Sequence, residues 1–193
     1  MSPSADIKCR VHRIFLVVCI AVSACQGGGG TVERLDSQSG LTIVTDREPV
    51  AFARTETRFS RSARDYVYLG PVELNERGAR EYYLWVGIAS TIDRNYLAAE
   101  ATIPDLLYLN LAGEPMEFEL TPWDERISQL ARRTIYEPAV APTVVLAARV
   151  TLDQLMRIAE AKPESIRIAG RDAPTMEYLL WNETSRWTAF ASF

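Results

Sequence analysis

The feature that most narrows the fold lies in residues 106–121, LLYLNLAGEPMEFELT. Leu107, Leu109 and Leu111 alternate with Tyr108 and Asn110, and Met116, Phe118 and Leu120 alternate with Glu117 and Glu119. A period of two sends successive side chains to opposite faces of an extended strand. Two such runs around Gly113-Glu114 read as an antiparallel hairpin with one apolar face. The expected pairs are Leu111–Met116, Leu109–Phe118 and Leu107–Leu120, alternating with Asn110–Glu117 and Tyr108–Glu119. A slip of one residue would bury the glutamates, which fixes the face. Pro115 stands beside the turn, where a missing N–H costs little.

A second hairpin is expected between Tyr66 and Ile92. Its turn is Asn75-Glu76-Arg77-Gly78, with glycine where a left-handed residue is often needed. Pairing Leu74 with Ala79 puts Glu73 opposite Arg80, Leu69 opposite Leu84 and Tyr68 opposite Trp85. A bulge at Gly78 would shift these by one. Tyr82 to Ala89 is apolar at both parities, the mark of a central strand. Leu41 to Asp46 and Val50 to Arg54 read as short strands broken at Glu48-Pro49, and Thr143 to Val150, Ser165 to Ala169 and Thr175 to Trp181 as further strands.

Helices are fewer. Thr121-Pro122-Trp123-Asp124 offers a cap, a proline at the first helical position and an acid in the first turn, predicting a helix to about Arg133. Thr151-Leu152-Asp153-Gln154 is a capping-box pattern. It opens a helix with Leu152, Leu155, Ile158 and Ala159 on one face, ended by Pro163. The tail after Asn182 reads as a short helix or another strand. The fold class expected is α+β: a mainly antiparallel sheet, open to a sandwich-like arrangement, with two or three short helices in the C-terminal half.

The N-terminus is organised differently. Lys8, Arg10 and Arg13 precede the nine apolar residues Ile14 to Val22, then Ser23, Ala24 and Cys25. A positive start followed by a short apolar run is the layout of a secretory signal. Nine residues make about 14 Å of helix at 1.5 Å per residue, well short of a bilayer core of about 30 Å. Val22-Ser23-Ala24-Cys25 resembles the lipobox of bacterial lipoproteins. The resemblance covers the first 26 residues and implies cleavage before Cys25, a diacylglycerol on its sulfur and an acyl chain such as palmitate on its new N-terminus. Two or more chains give firm anchoring. A plain signal peptide cut after Ala24, leaving a free thiol, is the alternative. Gln26 stands where Asp commonly retains lipoproteins at the inner membrane, so the resemblance implies the periplasmic face of the outer membrane. The expected organisation is signal peptide 1–24, lipidated cysteine and flexible tether 25–40, and one periplasmic domain 41–193. The tether is expected from Gln26 to Gly40, which opens with four glycines and continues polar.

Composition then excludes several chemistries. The chain of 193 residues carries a net charge of −4, and losing Lys8, Arg10, Arg13 and Asp6 takes it to −6. An acidic domain is a poor partner for nucleic acid. The single histidine, His12, and two of the three cysteines, Cys9 and Cys19, precede Cys25. A mature domain without histidine and with one cysteine cannot carry Ser-His-Asp or Cys-His catalysis. Nor can it hold a His/Cys metal site or an internal disulfide. No cofactor is expected.

Three residue groups remain as candidates for function. Arg54, Arg58, Arg61 and Arg64 stand in eleven residues and could bind an anion or an acidic partner, since guanidinium groups grip phosphates and carboxylates bidentately. Lys162 is the only lysine after Cys25, so a general preference for arginine, with pairing to Glu56 and Asp65, is the plainer account. Glu117 with Glu119, and Asp93, Glu100 and Asp105, could supply acid–base chemistry of the glycosidase kind, although any acidic domain has such pairs. Tyr82, Tyr83, Trp85, Trp181 and Trp187 would form a sugar or partner platform if exposed, while strand periodicity favours core packing. The expectation is therefore a lipid-anchored envelope lipoprotein, non-catalytic, binding an envelope protein or polymer. A carboxylate-based envelope hydrolase acting on glycan or peptidoglycan is the alternative.

Overall fold

A computed structural model describes residues 30–37, 40–57, 60–92, 103–111, 113–123, 135–170, 174–181, 187 and 190. The signal-like segment and Cys25 lie outside the described residues.

The architecture is built around one long strand. The strands are β1 (Thr31–Asp36), β2 (Leu41–Asp46), β3 (Val50–Thr55), β4 (Arg64–Glu76), β5 (Ala79–Ser90), β6 (Leu106–Leu111), β7 (Glu114–Glu119), β8 (Thr121–Pro122), β9 (Val144–Val150), β10 (Ser165–Ala169) and β11 (Met176–Leu180). The described helix, α1, is Leu152–Ala161. β4 is thirteen residues long and pairs with β5 along one edge. Its other edge pairs first with β3, up to Leu69, and then with β2, from Val72. Gly70 and Pro71 occupy the changeover. Proline has no ladder N–H to lose there, and its carbonyl accepts a 2.6 Å hydrogen bond from the Tyr136 hydroxyl, which also accepts from the Asp46 N–H at 3.3 Å. Tyr136 thus fills the notch between β2 and β3. A Cβ on Gly70 would stand 2.4 Å from its ring, so only glycine leaves room.

The sheet runs β7-β6-β10-β11-β3-β4-β5-β9-β8, all antiparallel, with β1 and β2 branching from β4. Its two ends are consecutive in the chain. Leu120 alone separates β7, on β6, from β8, on β9, and its N–H bonds the Asp105 carbonyl at 2.8 Å. The segment Glu114–Pro122 therefore hands over from one end of the sheet to the other, and the sheet is a nearly closed barrel where a sandwich-like arrangement was open. A barrel of about eight strands has an interior just wide enough for side chains to fill. Val50, Phe52, Val67, Leu69, Leu84 and Val86 do so, together with residues of β6, β9, β10 and β11 and with Trp187 and Phe190. α1 crosses from the end of β9 to the start of β10 and adds Leu155, Ile158 and Ala159 to this interior. Its capping box is formed, with Thr151 Oγ1 accepting from the Gln154 N–H at 3.1 Å and Gln154 Oε1 from the Thr151 N–H at 2.8 Å. A smaller second core lies on the outer face of β2, β4 and β5, where Leu41, Ile43, Tyr68, Val72 and Trp85 are covered by Tyr136.

Several expectations need correction. The segment read as a flexible tether contains β1, which pairs antiparallel with β2 over six residues although its own apolar residues, Val32 and Leu35, do not alternate. Among the described residues there is one helix, not two or three. The helix expected from Thr121 begins instead as β8, because Thr121 and Pro122 pair with Ala147 and Leu146. Residues 124–134 and most of the tail lie outside the described residues. Both hairpins are displaced by two residues from the expected register, in opposite directions, and each closes on a two-residue turn. Leu74 faces Glu81 and Glu76 faces Ala79 across Arg77-Gly78; Leu109 faces Met116, Leu107 faces Phe118 and Leu111 faces Glu114. Arg77 (φ 54°) and Gly78 (φ 97°) are both left-handed, which a two-residue type I′ turn requires and strand twist favours. A shift of two preserves every side chain's face, so the buried set stands while the partners change.

Candidate functional site

The arginine-dense stretch is the hairpin end between β3 and β4, and the strands divide it. Arg54 has the parity of Val50 and Phe52, which point into the barrel, whereas Arg64 has the parity of Tyr66 and Tyr68, which point out. The two guanidinium groups therefore lie on opposite faces. Arg54 bonds Glu56 at 3.0 Å and Asp65 at 3.4 Å through one nitrogen, and its guanidinium carbon lies 5.9 Å from the Tyr178 ring centre. Both carboxylates are buried, and Asp65 also accepts from Ser90 at 2.8 Å. This cluster closes one rim of the barrel and holds the hairpin ends together. Arg64 donates to the carbonyls of Arg61 and Ala63 at 2.8 and 3.2 Å and covers the Trp181 ring at 5.3 Å. Arg61 is exposed, and Arg58 lies outside the described residues. Of the three described arginines, Arg54 and Arg64 thus stand on opposite faces, Arg54 as the half-buried counter-ion of Glu56 and Asp65 and Arg64 against Trp181.

The carboxylates separate similarly. Glu117 and Glu119 are exposed on the outer face of β7. Asp93 and Glu100 lie outside the described residues. Asp105 precedes β6, its backbone bonded to Ala169 and Leu120. Glu56 and Asp65 share Arg54. No group of three or more potential metal ligands occurs among the described residues, and no described helix is long and apolar enough to cross a membrane.

The aromatics divide into core and surface. Trp85 and Trp187 are buried. Trp85 lies 5.1 Å from Tyr136, centre to centre, and Trp187 6.0 Å from Phe52. Trp181, at the end of β11, is 49% exposed. Its orientation is set by Arg64 over the ring and by Tyr66, edge-on at 5.9 Å and stacked in turn on Tyr68. On the same outer face Leu179 is 62% exposed. Beyond it an open depression of about 500 Å³ is bordered by Asn110, Gly113, Pro115, Ser165, Arg167 and Glu177. Arg167 lies over the Tyr108 ring at 5.6 Å. Sequence reasoning missed this face. Its one signal is that Leu179 and Trp181 have the parity of Glu177, so two large apolar residues fall on the polar side of β11.

A scan of family models, a search of curated proteins and a search of solved structures each found no match for this chain. The class is accordingly stated from geometry alone: a nearly closed antiparallel barrel with a filled interior and an exposed aromatic on its outer wall.

Proposed function

We propose that the chain is a cell-envelope lipoprotein, anchored through lipid on Cys25 at the periplasmic face of the outer membrane. Its barrel is a non-catalytic binding module for an envelope protein or polymer. The lipobox-like Val22-Ser23-Ala24-Cys25 supports the anchoring. The observation that carries the binding role is Trp181: a half-exposed indole held in one orientation by Arg64 and Tyr66. Exposed apolar groups with a rigid setting mark recognition surfaces more often than scattered ones do. The hydrolase alternative is less well supported. Acid–base catalysis needs two carboxylates facing a substrate, and Glu56 and Asp65 are buried against one arginine.

The test has two arms. Cys25→Ala should move the protein from the membrane fraction to a soluble or uncleaved form; unchanged fractionation and lipid labelling would remove the anchor. A photocrosslinker at position 181 should capture an envelope component in intact cells, whereas one at Glu119 should not.

A further inference from the structure

The outer face of β10 and β11 carries a set of side chains that neither core makes use of. Cross-strand pairing puts Arg167 opposite Glu177 and Ser165 opposite Leu179, with Tyr108 opposite Arg167 from β6. These residues share one face because directly paired side chains point the same way. Ser165, Arg167 and Glu177 border an open depression of about 500 Å³ together with Asn110, Gly113 and Pro115.

Its chemistry is mixed. Arg167 offers a fork of N–H donors, Ser165 a hydroxyl that donates or accepts, and Glu177 an acceptor carboxylate. The guanidinium of Arg167 lies over the Tyr108 ring, 5.6 Å from its centre. Charge is balanced locally, since Glu177 faces Arg167 directly and Glu117 stands beyond Tyr108. An anion would therefore gain little here, and a bare apolar segment would strand the polar groups. Alternating donors and acceptors suit an uncharged ligand rich in hydroxyl and amide groups.

Beside the depression, the outer face of β11 continues past Glu177. Leu179 and Trp181 continue along the same face of β11, about 13 Å from position 177 to position 181 at 3.3 Å per residue. Beside them β3 presents only Ala53, paired with Leu179, and Ala51, whose carbonyl accepts from the Trp181 N–H at 2.9 Å. The small alanines leave the indole and Leu179 standing above the sheet. A polar pocket leading to an apolar ridge and a fixed aromatic matches a ligand with polar edges and C–H faces, longer than one sugar ring. We infer that the β10–β11 outer face is a binding track for an uncharged, N-acetylated glycan strand. This deepens the envelope-binding reading and rests on it only for where the strand would be met.

The experiment uses the full chain in detergent micelles, titrated calorimetrically with a short soluble oligomer of N-acetylglucosamine, with the monosaccharide, and with polygalacturonate as an anionic comparison. The oligomer should bind, and the monosaccharide should bind more weakly. Arg167→Ala and Trp181→Ala should each weaken oligomer binding about tenfold or more, as central contacts do, with unchanged melting temperature, while Glu119→Gln binds as the parent does. Equal oligomer affinity in all variants, no oligomer binding, or binding to polygalacturonate alone would each overturn the inference. If the oligomer fails while position 181 still crosslinks to an envelope protein, the glycan track falls and the envelope-binding reading stands. If the oligomer binds with the stated variant losses while nothing is captured in intact cells, the track stands and that reading falls.

Discussion

Tyr136 lies in the segment before Pro138, and its ring ends fully buried between β2 and β3. Two polar groups depend on its hydroxyl: the Pro71 carbonyl at 2.6 Å and the Asp46 N–H at 3.3 Å. Tyr136→Phe keeps the ring but leaves the carbonyl buried without a donor, so it should cost about 1–3 kcal/mol in denaturant unfolding. Burial also pushes the Tyr136 hydroxyl well above its ordinary 10.0, and burial raises Tyr68 as well. A fold that keeps a proton the unfolded chain has lost is stabilised fully below the unfolded value, and that stabilisation falls as pH rises above it. The melting temperature should therefore decline above about pH 10, less steeply in Tyr136→Phe than in the parent. Arg54 and Arg61 make the second contrast at this scale. Arg54→Gln should destabilise by about 1–3 kcal/mol, because Glu56 and Asp65 lose a charged donor while buried. Arg61→Gln should change stability by no more than about 0.5 kcal/mol, as an exposed residue. Equal shifts for the two would mean that the internal ion pair contributes nothing.

Among the elements, the β6–β7 hairpin shows how face and register are separately encoded. Alternation in Leu106–Leu111 and Glu114–Glu119 determines which side chains are buried, and any even shift preserves it. Turn geometry chooses among the even registers, and a two-residue turn wins because its twist matches that of the strands. Phe118→Ala should cost about 3–5 kcal/mol, as truncations of core aromatics do, while Glu117→Ala should stay within about 0.5 kcal/mol. The helix is more local in origin. Thr151→Ala removes one half of a formed capping box and should cost about 1 kcal/mol, a loss readable in the same melts. α1 was legible for that reason: its cap, apolar stripe and Pro163 stop all lie within a dozen residues.

For the whole molecule, stability should be graded outward from β4. β4 pairs on both edges and is buried on both faces along most of its length, whereas β1 pairs on one edge and is largely exposed. Amide exchange should be slowest in β4 and β5 and fastest in β1; fast exchange in β4 would contradict the barrel as the stable unit. The amino-acid sequence by itself determined most strands, α1 and its cap, the buried face of each hairpin, and the absence of histidine-based chemistry from residues after Cys25. These depend on alternation, capping and composition, which act over a few residues. Only the tertiary structure decided that β7 and β8 join the two ends of the sheet, that Tyr136 fills the notch over Gly70, and that Arg54 and Arg64 part to opposite faces. It likewise left Trp181 exposed while Trp85 and Trp187 were buried. The parting of the arginines follows from the β3–β4 register, and the other outcomes depend on partners tens of residues away, which no local pattern places.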